Sequence, residues 1–505
     1  MRVARRPPGQ LLTHQILMSC PSWSLSLSWE SFRRIFSDDM YLKIRISCRF
    51  FRNLCVAQCS DVLVRSRMSQ MVMITDRKAL SNQFSTVKKQ GNRLKKTSRE
   101  LMAVAAKTAV EDRVVQLGPG LSLIPERLLL AHARGEVLFI CGAGISRPAG
   151  LPDFRQLVLD VYAQLDASTY SVLNGLPPRA CNEWQANYAG LTDQQAAEVK
   201  RFISGDYDVV LGMLERRLDD QTRGDSQVRR TVTAILRSGS ANPAAIHKAL
   251  IALADRGGAK AIVTTNFDLL LQIAAKRLRS PVETYSLGSI PRPSRNSEFS
   301  GVLHIHGMLD KNPERTSELV LSDQDFGEFY LRRRVVPDFI YDAARLYHLV
   351  LVGYSANDPP MRYLLNAVAA DGNRFDDLKE RFTFFGSNSP DSVALADWNG
   401  RGITPIHYDS TNNHGTLRTT LERWAALSAI NGKKKVVDAE LRRIVKTSRS
   451  VASDSDRDLF DHFFRRSNTS ERVRLSALVS DLKAEIDWLD AVVDVCAEAE
   501  RGRRP

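Results

Sequence analysis

Four short stretches of this chain are apolar almost from end to end, and each stops at a glycine-rich or polar turn. GEVLFI runs into GAGIS, AKAIV into TTNFD, GVL into HIHG, and YHLVLVG into GYSAND. A strand with one face in water alternates apolar and polar residues, so strands without that alternation must be covered on both faces. Short apolar runs of this kind, spaced apart by helical stretches, predict a parallel sheet sandwiched between helices. Ligands of such sheets bind outside the carboxyl ends of the strands. The four turns are therefore expected to converge on one crevice.

The remaining patterns fill in this plan. Residues 121–134 carry helical spacing, the stretch from Gln156 to about Leu236 is mostly helical, and ANPAAIHKALIALADR is a further helix. RFTFFG and ITPIHY predict two more strands. Past Lys433 helical segments follow, the last expected from about Thr469 to Glu500, with Asn468 and Glu471 as a capping box. Leu475, Leu478, Leu482, Ile486, Leu489 and Val493 recur at three- and four-residue steps and form an apolar stripe. The stripe suits packing on its own domain, or else a self-association or partner surface. The expected division is a basic leader over 1–115, a catalytic domain over 120–428 and a C-terminal helical region over 429–505.

Charge separates the leader from the rest. Of a net +14 over 505 residues, residues 1–100 hold 19 Lys/Arg against 6 Asp/Glu, and the other 405 hold 52 against 51. The body is near neutral, which argues against the phosphate-neutralising surface of direct nucleic-acid binding. The leader reads as a disordered segment, as a mis-assigned start with Met68, Met71, Met73 or Met102 as the true first residue, or as a targeting peptide. Cys141, Cys181 and Cys496 stand singly beyond it, so neither a zinc site nor a disulfide framework is expected, and a reducing cytoplasm fits. No apolar run is long enough to cross a membrane.

Several residues in the turns carry chemistry. Gly142, Ala143 and Gly144 follow a strand and open a helix, a place where a backbone can approach a diphosphate and offer it N–H groups; two glycines at such a turn also serve steric ends. Asn266 and Asp268 form an Asn-x-Asp turn, which by itself is a common turn former. His306 suits proton transfer near neutral pH. His304, two residues earlier, is either its partner or a sheet residue, and His247 reads as structural. Asp358 is either a ligand contact or a helix cap.

The stretch GAGIS…AGLPDFR resembles the first signature of the sirtuin family, matching at Gly142 to Ser146, at Ala149 and Gly150, and from Pro152 to Arg155. In that family the GAG turn holds the phosphates of NAD+ and the PDFR segment lines the nicotinamide side, which implies roles for Gly142, Ala143, Gly144, Ser146, Asp153, Phe154 and Arg155. Thr265-Asn266-Phe267-Asp268 resembles the family's Gln-Asn-Ile-Asp turn, with Asn266 matching the asparagine that positions ribose and water. Thr265 stands where the family has glutamine, as in bacterial sirtuin-like NAD hydrolases. His306-Gly307 matches the catalytic His-Gly, and Gly353-Tyr354-Ser355 resembles a Gly-Thr-Ser turn that contacts the adenosine ribose, with Ser355 and Asp358 as candidates. The two Cys-x-x-Cys pairs of sirtuin deacylases are missing after His306; residues 314–346 read as charged helix instead.

The resemblance, over about residues 125–425, implies a Rossmann-like α/β domain with a helical insertion. It also implies a metal-free NAD+ hydrolase releasing nicotinamide and ADP-ribose, with Asn266 and His306 catalytic. Similar proteins deplete NAD+ in anti-phage defence, as oligomers or with a helicase-like ATPase or a short Argonaute as partner. Two alternatives are an NAD-dependent protein deacylase and a non-catalytic NAD or ADP-ribose sensor.

Overall fold

Each central strand is apolar on both sides because each side faces a different core. In β3 (Val137–Cys141), Val137, Phe139 and Cys141 belong to one apolar cluster while Leu138 and Ile140 belong to another. The same two-residue period splits β7 (His348–Val352): Val350 and Val352 point one way, Leu349 and Leu351 the other. A one-residue slip of register would exchange these sets, so the two cores fix the register together. The structure, a computed structural model, describes residues 113–177, 186–219, 226–238, 242–257, 259–276, 282–293, 299–309, 319–353, 378–389 and 391–501. All of these lie in one compact unit, Asp112–Pro505.

The sheet has seven strands, all parallel. With β4 (Ala261–Thr264), β5 (Glu283–Tyr285), β6 (Gly301–His304), β8 (Arg381–Ser387) and β9 (Ile403–Asp409), its order is β5-β6-β4-β3-β7-β8-β9. β3 pairs with β4 on one side, as Phe139 opposite Ile262, and with β7 on the other, as Phe139 opposite Val350. Strands that follow β3 in the chain first build outward on the β4 side, and from β7 onward on the other. The order therefore reverses between β3 and β7, which is where an open α/β sheet leaves a crevice at its carboxyl edge. The four motif strands β6, β4, β3 and β7 are consecutive in this order. Their turns leave one edge side by side, as expected from the sequence.

Helices cover both faces. On one lie α1 (Glu126–Ala133) and, later in the chain, the helices Ala245–Leu253, Leu270–Ala275 and Gly415–Leu427, which pack with the strands into the first cluster. The other face is filled from the segment between β6 and β7, where Phe326, Tyr330, Phe339 and Ile340 meet Leu138, Val263 and Leu303. A third core is purely helical. α2 (Phe154–Leu165), α3 (Ala167–Asn174), α4 (Asp193–Ile203), α5 (Tyr207–Leu218) and α6 (Gln227–Ser238) form the insertion between β3 and α7 (Ala245–Leu253).

Three local expectations are corrected. Residues 121–134 are not one helix: Leu123–Pro125 is strand β2, antiparallel to β1 (Val114–Gln116), and the helix begins at Glu126 because Pro125, which lacks an N–H, closes the strand. The long C-terminal helix is two, Thr469–Asp481 and Ile486–Arg501, separated by Lys483 at φ +52. The break resets the helical phase. Leu475 is buried, but Ile486 and Val493 are 71% and 66% exposed, and Trp488 and Val495 face the core instead. The third is the capping box. Asn468 accepts from the Glu471 amide at 2.9 Å, but the Glu471 carboxylate turns to Arg474 rather than back to the cap.

The C-terminal helices share the first cluster with the sheet, through Phe460, Phe463, Phe464 and Trp488. A buried ionic contact joins them to α1: Glu126 is held by His462 at 3.1 Å and by Arg465 at 3.0 Å. These partners keep the Glu126 carboxyl below its ordinary range even though burial alone would raise it. Among the described residues no helix is long and apolar enough to cross a membrane.

Candidate functional site

The floor of the crevice is closed by two turns that touch. The Gly142 amide donates to the Val352 carbonyl at 3.0 Å, continuing the β3–β7 ladder, and the Gly144 amide donates to Gly353 at 2.8 Å. A methyl group on Gly144 would lie 2.9 Å from the Gly353 backbone, and one on Gly353 would lie 2.6 Å from the Ile145 nitrogen. Gly353 also sits at φ +59, a region costly to residues with a side chain. Each glycine is thus required by the other turn before any ligand is considered. Residues Ala143–Ile145 form a tight 3-10 turn, and the Ala143 amide at its start has no acceptor among the described residues.

Ser146 is the hub above this floor. Its hydroxyl donates to Asp268 at 2.8 Å and accepts from the Asn266 side-chain amide at 3.0 Å. A hydroxyl has one proton, so the 3.3 Å contact with His247 Nε2 must be a hydrogen bond donated by the imidazole. That assignment leaves His247 Nδ1 bare, and it accepts from the Ala244 amide at 3.2 Å. The hydroxyl is saturated within the protein: one bond given, two received. Burial lowers the His247 pKa, opposed by the Asp268 charge, in keeping with the bare Nδ1 that these bonds require. Asp268 spends its other oxygen on the Leu270 amide at 3.0 Å, capping the start of α8 (Leu270–Ala275).

Asn266 is held on three sides. Its amide donates to Thr264 Oγ1 at 3.0 Å, its carbonyl accepts from His304 Nδ1 at 2.7 Å, and its side-chain nitrogen reaches Ser146. Thr264 in turn donates to the Cys141 carbonyl at 3.0 Å, as does the Thr265 amide. His304 completes this scaffold. With Nδ1 donating, its Nε2 must accept, and it does so from the Gln272 side-chain amide. Burial lowers the His304 pKa against the pull of the Asn266 carbonyl and Asp268, which suits this neutral tautomer. What remains of Asn266 is its Oδ1. That oxygen is buried and has no hydrogen-bond partner among the described residues, an arrangement that costs about 1–3 kcal/mol.

His306 lies just past β6, in a different setting. Its Nε2 is 2.7 Å from the Tyr330 hydroxyl, and the rings of Phe326 and Tyr330 stand edge-on to it at 5.4 and 5.9 Å. Burial alone pushes its pKa down to about 3. The imidazole is therefore neutral at physiological pH, with a nitrogen lone pair available. Tyr330 rides on a π-helical segment, Gly327–Arg332, that follows the short helix α9 (Asp323–Phe326). α9 is pinned by a buried ion pair. Arg229 of α6 contacts Asp325 at 2.6 Å and Glu215 of α5 at 2.8 Å, all three almost fully buried.

The sequence-derived candidates fall into three sets. Gly142, Ala143, Gly144, Ser146, Thr265, Asn266, Asp268 and Gly353 come together at the β3–β4–β7 tips, with His306 at the neighbouring β6 tip. Asp153, Phe154 and Arg155 serve the helical insertion. Asp153 caps α2 by accepting from the Gln156 amide at 2.9 Å, Phe154 meets the Tyr207 ring at 6.1 Å, and Arg155 donates to the Leu176 carbonyl and lies over Phe202 at 5.2 Å. Among the described residues none of these three bonds to the Ser146 hub. Ser355 and Asp358 lie outside the described residues, as do Cys181 and the leader.

His247, Gln272, Tyr330 and Phe326 complete the site, and sequence reasoning did not place them there. His247 reads as an ordinary helix residue because its role depends on the turn of β3, about a hundred positions earlier in the chain. Tyr330 is hidden in the charged string SDQDFGEFYLRRR. The residues present fit a ligand rich in hydroxyl and phosphate groups. Among the described residues Asn266 Oδ1 lacks a donor and the Ala143 amide lacks an acceptor, and burial lowers the pKa of His247, His304 and His306. Among the described residues no group of three or more His, Cys, Asp or Glu could hold a metal ion.

Comparison with known proteins relates part of the chain to a family. Residues 260–406 match the SIR2-like domain family, a stretch that opens just before β4, closes within β9 and contains Asn266, Asp268 and His306. The GAGIS…PDFR stretch lies before it. SIR2-like domains are an NAD-utilising enzyme fold, and the match supports a place for this part of the chain in the sirtuin-like superfamily. A protein of Sinorhizobium fredii named "Uncharacterized protein y4cA" is 33% identical over 381 residues, covering 70% of this chain and 28% of that one. The chain thus spans little more than a quarter of the length of that relative.

Proposed function

We propose that this SIR2-like domain cleaves the nicotinamide–ribose bond of NAD+ with water, releasing nicotinamide, ADP-ribose and a proton. The observation that carries the reading is the rigidly held Asn266 at the tip of β4, whose side-chain oxygen is a buried acceptor without a partner among the described residues, together with a neutral, buried His306 at the tip of the adjoining strand β6. NAD+ as substrate brings a cationic leaving group that departs as a neutral molecule. Asn266 Oδ1 orients the attacking water by accepting from it, and the His306 lone pair takes the proton that the water or a ribose hydroxyl gives up. The Ala143 amide and the glycine turn take the phosphate side, and Ser146 and Asp268 hold Asn266 in place. Burial of Asn266 and of His306 keeps bulk water from each and strengthens these interactions.

The resemblance to zinc-free bacterial enzymes supports a role in anti-phage defence by NAD+ depletion in the cytoplasm. Activation there would depend on a homo-oligomer or on a helicase-like ATPase or short Argonaute partner. The test follows NAD+ in cells expressing the wild type, Asn266→Ala or His306→Ala, with and without phage. Loss confined to the wild type is expected; equal loss in all three would sink the assignment. Formation of O-acetyl-ADP-ribose from an acetylated peptide would replace hydrolysis by deacylation.

A further inference from the structure

We propose that Tyr330 is a positioning residue for His306: its oxygen accepts from His306 Nε2–H, which leaves the lone pair at Nδ1 and makes Nδ1 the nitrogen that meets the substrate. The inference rests on the hydrolase reading above and adds to it which nitrogen acts and what selects it.

Three observations carry it. First, the 2.7 Å contact with Tyr330 is the one side-chain hydrogen bond of His306 among the described residues, and Nδ1 has no protein partner there. Second, the ring is packed between Phe326 and Tyr330, which stand edge-on to it at 5.4 and 5.9 Å and tilted to each other at 5.3 Å, so its orientation is held by both. Third, the backbone under Tyr330 is built for this placement. The Arg333 amide reaches back five residues to the Glu328 carbonyl at 2.8 Å, and a π-turn of this kind rotates the side chains of one helical turn relative to an α-helix. The segment is anchored at its start by Arg229 on Asp325 and braced within itself by Arg332 and Arg333 on Glu328 at 2.9 and 2.7 Å. A carboxylate at Nε2 would fix the same tautomer but would also favour the imidazolium. A phenol can give or take the proton, so the choice falls to the other nitrogen: the Nε2–H tautomer pairs the ring's one N–H with Tyr330, whereas an Nδ1–H would find no acceptor among the described residues. The phenol also adds no charge that would favour the imidazolium, which keeps a base rather than an acid at the site.

The test compares wild type with Tyr330→Phe, which keeps the ring packing and removes only the oxygen, using His306→Ala to assign the signals. Nitrogen-15 NMR of labelled histidine should show His306 with a protonated Nε2 and a bare Nδ1 in wild type, and a mixture of tautomers in Y330F. With NAD+ as substrate, kcat should fall about 10- to 100-fold and KM should stay within about 2-fold. The proposal is overturned by an Nδ1–H tautomer in wild type, by an unchanged tautomer in Y330F, or by a tautomer change without a fall in kcat. If wild type fails to turn over NAD+, the hydrolase reading falls, while the NMR comparison still decides what Tyr330 does to His306.

Discussion

The glycines at the β3 and β7 tips offer a way to ask whether they serve the fold or the ligand. Gly150→Ala meets nothing within 4 Å but sits at φ +87; Gly144→Ala has no positive φ but would press on the Gly353 backbone at 2.9 Å; Gly353→Ala combines φ +59 with a 2.6 Å approach to Ile145. The left-handed backbone costs an alanine about 1–2 kcal/mol, and forcing a methyl into a packed contact costs about 1–3 kcal/mol. The expected losses are therefore about 1–2 kcal/mol for Gly150→Ala, about 1–3 for Gly144→Ala, and about 2–5 for Gly353→Ala. Because Gly144 and Gly353 press on each other, the double variant should lose less than the sum of the two.

Urea unfolding reads these numbers directly, provided the slope with denaturant is shared by all variants. If the glycines exist to let a phosphate approach, Gly144→Ala will unfold at the wild-type urea concentration and lose only affinity for NAD+. That result, or a Gly353→Ala no worse than Gly150→Ala, would refute the claim that the two turns require each other's glycines.

Other expectations follow from the buried charges. Arg229→Met leaves Glu215 and Asp325 buried without their cation and should cost about 3–5 kcal/mol, seen as a lower urea midpoint; a loss below about 1 kcal/mol would show that the ion pair does not anchor α9 to the insertion. Stability should also fall with acid in a defined window. His132 of α1 is buried, with its Nε2 2.9 Å from the Leu253 carbonyl. The folded pKa values of His306 (about 3) and His132 (about 4) lie below the unfolded value of 6.5, and His304 and His247 are lowered too. Between these limits the unfolded chain binds more protons than the folded one, so stability is complete above the unfolded pKa and is lost as pH falls toward the folded values. Each such histidine contributes up to about 1.4 kcal/mol per pH unit. Urea midpoints across this window should show a flatter dependence in His132→Gln, and an unchanged slope would count against a neutral buried His132.

The order of apolar runs and turns was enough to specify a parallel sheet, because strands such as LFI and LVLV can be satisfied only with a core on each side. The meeting of four turns at one edge followed from the same rule, since parallel strands share their carboxyl ends. The placement of Asn266 and His306 at adjoining strand tips was legible for a related reason: both are written into those turns. Their supporting residues were not. His247, Gln272 and Tyr330 lie on helices whose periodicity gives no sign of them, and they reach the site only because the sheet places distant turns side by side. The glycine turn shows the same division. Two small residues after a strand allow either a phosphate or a neighbouring turn to come close, and it is the packing of β3 against β7 that brings Gly353 onto Gly144. The C-terminal stripe erred in the opposite direction: its spacing ran unbroken through Lys483, but the left-handed turn there rotated the second helix and put Trp488, rather than Ile486, against the core.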